Sequence, residues 1–319
     1  MFDRGAGGSL TPAGSYPTGG TGTGAGLGSQ GAVAVDDAGR YLYAVNAGSG
    51  TVTSFRIGQD GLSRVDTAST GGSMPAGLTV RHGLLYVLNA GGSGSITGFT
   101  VDAGHLQPLA GSTRSLSSAA TAPAQVSFSP DGGTIVVAER ATQRIDLFPV
   151  DEAGVAGDAT VVPSAGPTPF GFGFDNKDHL IVSEAFGGAP DASAVSSYRL
   201  GGSGLETVSA SVPTTETAAC WIAITGNGRF AYAGNAGTAS ITGYGVAPDG
   251  SLSILDADGK TASAASGVTD LAVSSNSRFL YGRLGDGTVG AWAVGADGSL
   301  ETLGAVPGLP PGAAGIAAR

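Results

Sequence analysis

One short motif returns along the whole chain, and it constrains the fold more than any other feature. TVTSFRIGQDG around Phe55 aligns with SITGFTVDAG around Phe99 and RIDLFPVDEAG around Phe148. AVSSYRLGGSG around Tyr198, SITGYGVAPDG around Tyr244 and TVGAWAVGADG around Trp292 continue the series, and MFDRGAGG around Phe2 opens it. Successive aromatic residues stand 44 to 53 positions apart. A period of that size marks a stacked repeat architecture, in which each copy buries its apolar face only against its neighbours.

Each copy carries a second motif upstream of the aromatic residue: an apolar alternating run, a turn, and another apolar run, as in GAVAVDDAGRYLYAVN ending at Asn46. The turns at Asp37–Gly39, Asp131–Gly132, Asn176–Lys177, Asn227–Gly228 and Asn276–Ser277 have side chains that tolerate positive φ, as hairpin turns require. Each unit therefore reads as strand A, hairpin, strand B, loop, strand C, Gly-rich turn, strand D. No 3.6-residue periodicity interrupts the pattern. Four antiparallel strands in 40 to 50 residues make a propeller blade. The expected fold is all-β: a seven-bladed β-propeller of four-stranded antiparallel blades, occupying residues 1–319 as one domain.

The chain ends are expected to share the last blade. GLPPGAAGIAAR at the carboxyl end resembles a strand A, whereas the amino end starts at a strand C. With Ile316 matched to Val33, the path through Arg319 and Met1 to Phe2 is about 17 residues shorter than Val33 to Phe55. That shortfall equals one strand B with its loops. The natural start is expected upstream of Met1, behind a possible leader, which favours a secreted or periplasmic location over a cytoplasmic one.

Composition excludes several classes of function. A net charge of −10, with Lys177 and Lys260 the only lysines, offers no basic surface for nucleic acid or for an anionic membrane. No apolar run of about 18 residues is present to span a bilayer as a helix. Cys220, the sole cysteine, has no intramolecular disulfide partner. GTGAGLG at Gly22–Gly28 imitates a phosphate-binding loop, but such a loop needs a following helix and a strand A follows instead. The expected partner is a small molecule, and the expected state a monomer.

SPDGGTIVVAE (129–139), GRYLYAVNAGSGTVTSF (39–55) and GRFAYAGNAGTASITGY (228–244) resemble the YVTN-type propeller repeat. Over essentially the whole chain the likeness is to the seven-bladed lactonase family, which includes 6-phosphogluconolactonase and carboxymuconate cyclase. The resemblance implies His, Arg and Glu side chains in a central cleft and activity on a lactone or small anion. Where such enzymes carry a His near the start of strand A, this chain has Ala124-Gln125, Phe170-Gly171 and Cys220-Trp221. Its three histidines fall elsewhere: His82 and His179 at A–B turns, and His105 after a C–D turn. Those turns lie on the face opposite the D–A and B–C loops, where propellers usually bind ligands.

On the ligand face, the end of strand B is the informative column, read as Asn46, Asn89, Glu139, Glu184, Asn235 and Arg283. The Asn residues are expected to bond the backbone of the B–C turn. Glu139 and Glu184, from adjacent blades, are the candidate acid and base, and Arg283 the contact for a carboxylate or developing oxyanion. Arg140, Phe186, Trp221, Asp270 and the three Asn residues are candidate ligand contacts. The competing reading makes rim ion pairs of Glu139 with Arg140 or Arg144, and of Arg283 with Asp286. No cofactor is expected. Ca²⁺ would suit two Glu with Asn oxygens, though no dense ligand spacing accompanies them.

Phe186 belongs to a B–C loop, EAFGGAPDASA, about five residues longer than its counterparts. It either forms a lip beside the cleft or is an ordinary insertion. Trp221 either stacks on a ligand or packs in the core. The alternative to a lactone hydrolase or cycloisomerase is a non-catalytic secreted or surface propeller that binds a glycan, peptide or protein.

Overall fold

The computed structural model describes residues 1–202, 204–310 and 312–319. They form an all-β propeller of antiparallel blades. No α-helix occurs among them; the one helical turn is a 3₁₀ segment at Phe186–Gly188. The chain resolves into two compact units, one of Met1 with Ala13–Val162 and one of Phe2–Pro12 with Pro163–Arg319.

The first unit holds three blades. Blade 1 is β3 (Val33–Val35), β4 (Tyr41–Asn46), β5 (Thr51–Gly58) and β6 (Gly61–Ser69), paired in that order. Blade 2 is β7 (Pro75–Arg81), β8 (Leu84–Asn89), β9 (Ser95–Asp102) and β10 (His105–Pro108), with the short β11 (Arg114–Ser115) also on β9. Blade 3 is β12 (Pro123–Phe128), β13 (Thr134–Glu139), β14 (Arg144–Pro149) and β15 (Thr160–Pro163).

The second unit repeats the plan. Blade 4 is β16 (Pro169–Phe174), β17 (His179–Glu184), β18 (Ala194–Gly201) and β19 (Gly204–Pro213). Blade 5 is β20 (Ala219–Ile224), β21 (Phe230–Asn235), β22 (Ser240–Val246) and β23 (Leu252–Ile254), with β24 (Ala262–Ser263) also on β22. Blade 6 is β25 (Val268–Val273), β26 (Phe279–Leu284), β27 (Thr288–Val294) and β28 (Leu300–Pro307). A hairpin of β1 (Phe2–Arg4) and β2 (Leu10–Pro12) completes it.

Burial follows position in the blade. The second strands are buried almost throughout, as in LLYVLN of β8 and TIVVAE of β13. Outer strands are largely exposed, as in LETLGAVP of β28. Tyr86, Ile135, Val137 and Phe148 form part of one core, and Ile181, Ile222, Ala231 and Tyr244 part of another.

The hairpins close as the turn residues require. Asp36 Oδ1 accepts the amides of Arg40 at 2.6 Å and Tyr41 at 2.9 Å, and Gly39 takes φ of 66°. In blades 4 and 6 the corresponding left-handed positions are Asp178 and Ser277, at 64° and 58°. The blade 2 turn is a two-residue hairpin with positive φ at both His82 and Gly83. A second regularity ties blades together. Tyr86 donates its hydroxyl to Gly154 O at 2.7 Å, Tyr232 to Gly298 O at 2.9 Å and Tyr281 to Gly8 O at 2.9 Å. Each acceptor is a positive-φ glycine in a turn between two outer strands.

Strand register corrects one reading from sequence. Asn46, Asn89, Glu139, Glu184 and Asn235 do close their strands in one column, but in blade 6 that column holds Leu284. Val268 pairs with Leu284 as Pro123 pairs with Glu139 and Ala219 with Asn235. Arg283 lies one position earlier, opposite Asp270. Successive residues of a strand point to opposite faces, so Arg283 faces away from the side the column residues share.

Candidate functional site

The five polar column residues each stand at the end of their sheet where the D–A and B–C connections lie. Where the residue is Asn, its amide reaches strand C. Asn46 Nδ2 donates to Thr51 Oγ1 at 3.0 Å and Thr53 Oγ1 at 2.9 Å, and Asn235 Nδ2 to Ser240 Oγ at 3.0 Å and Thr242 Oγ1 at 2.9 Å. Asn89 makes the same contacts with Ser95 and Thr97, and one with Thr70 O at 3.4 Å. The partners are therefore mostly strand-C hydroxyls, not the B–C turn backbone expected from sequence. A pleated strand presents alternate side chains on one face, which brings both hydroxyls to a single amide.

The carboxylates reverse the polarity of this contact. Glu139, fully buried, accepts the Ser117 amide at 3.0 Å and the hydroxyls of Ser117 and Thr142. Its acidic neighbour is Asp146 of the same blade, whose Oδ2 accepts the same Ser117 amide at 3.2 Å. Burial, then the hydrogen bond and charge of Glu139, push the Asp146 carboxyl up to about 8. At neutral pH the Asp146 carboxyl therefore keeps its proton. An open cavity of about 610 Å³ is lined by Ser117 and Thr142, which bond Glu139, together with Ser118, Arg144 and Val161. Asp146 escaped the sequence reading, although a signal was present: RIDLF has Asp where TVTSF, SITGF and SITGY have Thr.

Glu184 is likewise fully buried. It accepts the Gly166 amide at 2.8 Å and the hydroxyls of Ser196 and Ser211, each at 2.6 Å. A Cβ on Gly166 would come within 2.1 Å of Glu184 Oε2, so only glycine lets the D–A connection lie this close. Both glutamates thus pin the connection entering their own blade. Of the ion pairs offered as the competing reading, neither Glu139 with Arg144 nor Arg283 with Asp286 is found among the described residues. Arg140 Nε donates to Ala122 O at 3.0 Å, and Asp286 caps the turn at Thr288.

Arg283 and Asp270 form the third centre. They are 8% and 1% exposed and lie opposite each other in the pairing of β25 with β26. Arg283 donates to Thr269 Oγ1, while its Nε and Asp270 Oδ2 have no protein partner. Asp270 Oδ1 accepts the Leu271 amide at 2.8 Å, and the Ile316 amide also donates to the carboxyl. Burial outweighs these donors and the nearby guanidinium, lifting Asp270 to about 8. Burial also lowers Arg283, against the pull of Asp270.

Trp221 is buried edge-on to Phe170, with ring centroids 5.1 Å apart. Phe186 begins the 3₁₀ turn of the long B–C loop and is half-buried. His82, His105 and His179 stand at the turns expected from sequence; His179 is buried with Nδ1 2.8 Å from Asp175 Oδ2. Among the described residues, no three His, Cys, Asp or Glu side chains converge as metal ligands, and no helix is long and apolar enough to cross a membrane.

These features define a β-propeller of four-stranded antiparallel blades. Residues 2–115 match the family model described as a seven-bladed β-propeller lactonase. No curated protein matches the chain. Among solved structures, it resembles a putative 6-phosphogluconolactonase from Bacteroides fragilis, at TM-score 0.76 and 18% identity over 96% of this chain and 89% of that one. It also resembles the periplasmic gluconolactonase of Pseudomonas aeruginosa, at 0.75 and 19% over 97% and 92%. The Swd1 β-propeller domain of Myceliophteria thermophila follows at 0.65 and 11% over 91% of each chain. At such identities the structural likeness establishes the fold, which proteins of other functions share.

Proposed function

We propose that the chain is a seven-bladed propeller that hydrolyses a small lactone at the Asp270–Arg283 centre. The observation that carries the chemistry is a buried acid with an unpartnered oxygen set against a buried guanidinium with an unpartnered N–H. The lactonase match over residues 2–115 supports the substrate class. The seventh blade would combine the β1–β2 hairpin with the stretch around Ile316. In support, Ile316 and Ala318 pack with Phe2 and Leu10 against Phe279 and Tyr281.

In this reading, ionised Asp270 takes a proton from water as the water oxygen bonds to the lactone carbonyl carbon. Arg283 donates to the developing oxyanion, so its charge counts most in the transition state. Collapse of the intermediate breaks the ring C–O bond, and Asp270 returns the proton to the leaving alkoxide, giving the hydroxy acid. A carboxyl titrating near 8 is a stronger base than an ordinary one. Glu139 and Glu184, with their oxygens engaged, position the D–A connections in this scheme instead of moving protons.

The test is hydrolysis of glucono-δ-lactone followed by pH-stat. Asp270→Asn is expected to remove turnover with the fold retained, and Arg283→Gln to lower kcat by about 10²–10³-fold. Full activity in Asp270→Asn would refute the assignment. The near closure of the centre, with Arg283 only 8% exposed, favours the non-catalytic alternative. Absence of any turnover above the uncatalysed rate would select it.

A further inference from the structure

The turn side of the first unit contains a second, half-open site. It is a cavity of about 210 Å³ between the A–B turns of blades 1 and 2 and the β9–β10 turn. Asp36, Asp37, Arg40, Tyr41 and Tyr43 line one side, and Arg81, His82 and Gly104 the other.

Tyr43 marks this cavity as more than a packing gap. It holds the same strand position as Tyr86, Tyr232 and Tyr281, each of which spends its hydroxyl on a glycine carbonyl of another hairpin turn. The carbonyl corresponding for Tyr43 is Gly104 O, but Ser54 Oγ already donates to it at 2.6 Å. The Tyr43 hydroxyl has no hydrogen-bond partner among the described residues, although the side chain is only 1% exposed. Where its counterparts bond a glycine carbonyl, the Tyr43 hydroxyl is left to the cavity.

The lining decides the ligand class. Two carboxylates balance two guanidinium groups in number, and Arg81 Nε is a buried donor without a partner. Asp37 lies 3.8 Å from Arg81, and Asp36 caps its own turn through the amides of Arg40 and Tyr41. No surplus of either sign remains to draw in an ion. Groups that both donate and accept suit such a wall, and the half-buried Tyr41 ring adds an apolar face. At roughly half a water's ~30 Å³ share per bonded atom, the volume accommodates about a dozen heavy atoms.

We propose that this cavity binds a neutral polyhydroxylated molecule of hexose size, with the Tyr43 hydroxyl as a principal contact. The site is separate from the Asp270–Arg283 centre and does not depend on the hydrolase reading. The full chain would be titrated with D-glucose, D-galactose and D-mannose, with sodium gluconate as the charged comparator, by ligand-observed saturation-transfer NMR and protein chemical shifts. At least one hexose is expected to bind, and Tyr43→Phe to weaken it about tenfold or more. Tm should stay unchanged, because Tyr43→Phe removes no protein hydrogen bond. Asp270→Asn should leave hexose binding intact. Binding of no hexose, preference for gluconate, or equal affinity in Tyr43→Phe would each overturn the proposal.

Discussion

Replacing Asp146 by Asn is expected to remove a specific pH dependence from folding stability. In the folded protein the Asp146 carboxyl titrates at about 8, raised first by burial and then by Glu139. In an unfolded chain an Asp titrates near ~3.9. Between those values the folded state keeps a proton that the unfolded state has released. Stability from a raised group is fully present below the unfolded value and is lost as pH rises through the folded one.

One such proton changes stability by at most about 1.4 kcal/mol per pH unit, or ~2.7 kcal/mol between pH 5 and pH 7. Asp270, also at about 8, adds a contribution of the same sign that the substitution leaves in place. Asp249, Asp286 and Asp297 are held below the ordinary carboxylate range by Ser251, Thr288 and Ser299, so they act only at lower pH and with opposite sign. Histidine titration is common to both proteins and cancels in the difference. Asn keeps the shape of Asp and offers Glu139 an amide donor. Urea unfolding at pH 5, 6 and 7 supplies the comparison. The variant should gain up to ~2.7 kcal/mol on wild type across that range. Parallel pH profiles would refute the raised Asp146 carboxyl.

Other outcomes follow from the same geometry. Tyr232→Phe removes a buried bond to Gly298 O and should cost about 1 kcal/mol by chemical denaturation, whereas Tyr43→Phe should cost nothing measurable. Gly166→Ala forces a Cβ toward Glu184 Oε2 and should lower stability by about 1–3 kcal/mol. Phe148→Ala empties a fully buried site and should cost about 3–5 kcal/mol. If Asp270 is the base, kcat/KM for the lactone should rise with pH along a limb centred near 8 and level off above it; a limb at the ordinary carboxylate range would exclude it.

The blades were legible because their signals are local. Alternating apolar runs, Asp-Gly and Asn-Gly turns and a recurring aromatic residue each act within a few residues, so the four-strand unit can be read directly. The Asn/Glu column was legible for the same reason in five blades. In blade 6 it failed by one residue, since GRL offers Arg283 as the conspicuous residue where the pairing places Leu284. A shift of one reverses the face of a strand, so a small alignment error changed the site. The histidines were placed correctly because hairpin turns announce themselves in sequence.

Sequence by itself determined the repeat, the all-β blades, the turns and the Glu139 and Glu184 carboxylates at the strand ends, because these follow from local periodicity and residue type. Only the tertiary structure decided which groups meet. Glu139 and Asp146 converge on the Ser117 amide, Asp270 faces Arg283, and Tyr43 lacks the glycine carbonyl that its counterparts use. Those pairings depend on strand register and on chain segments far apart in sequence, and at hydrogen-bond range a single-residue step is enough to make or break them.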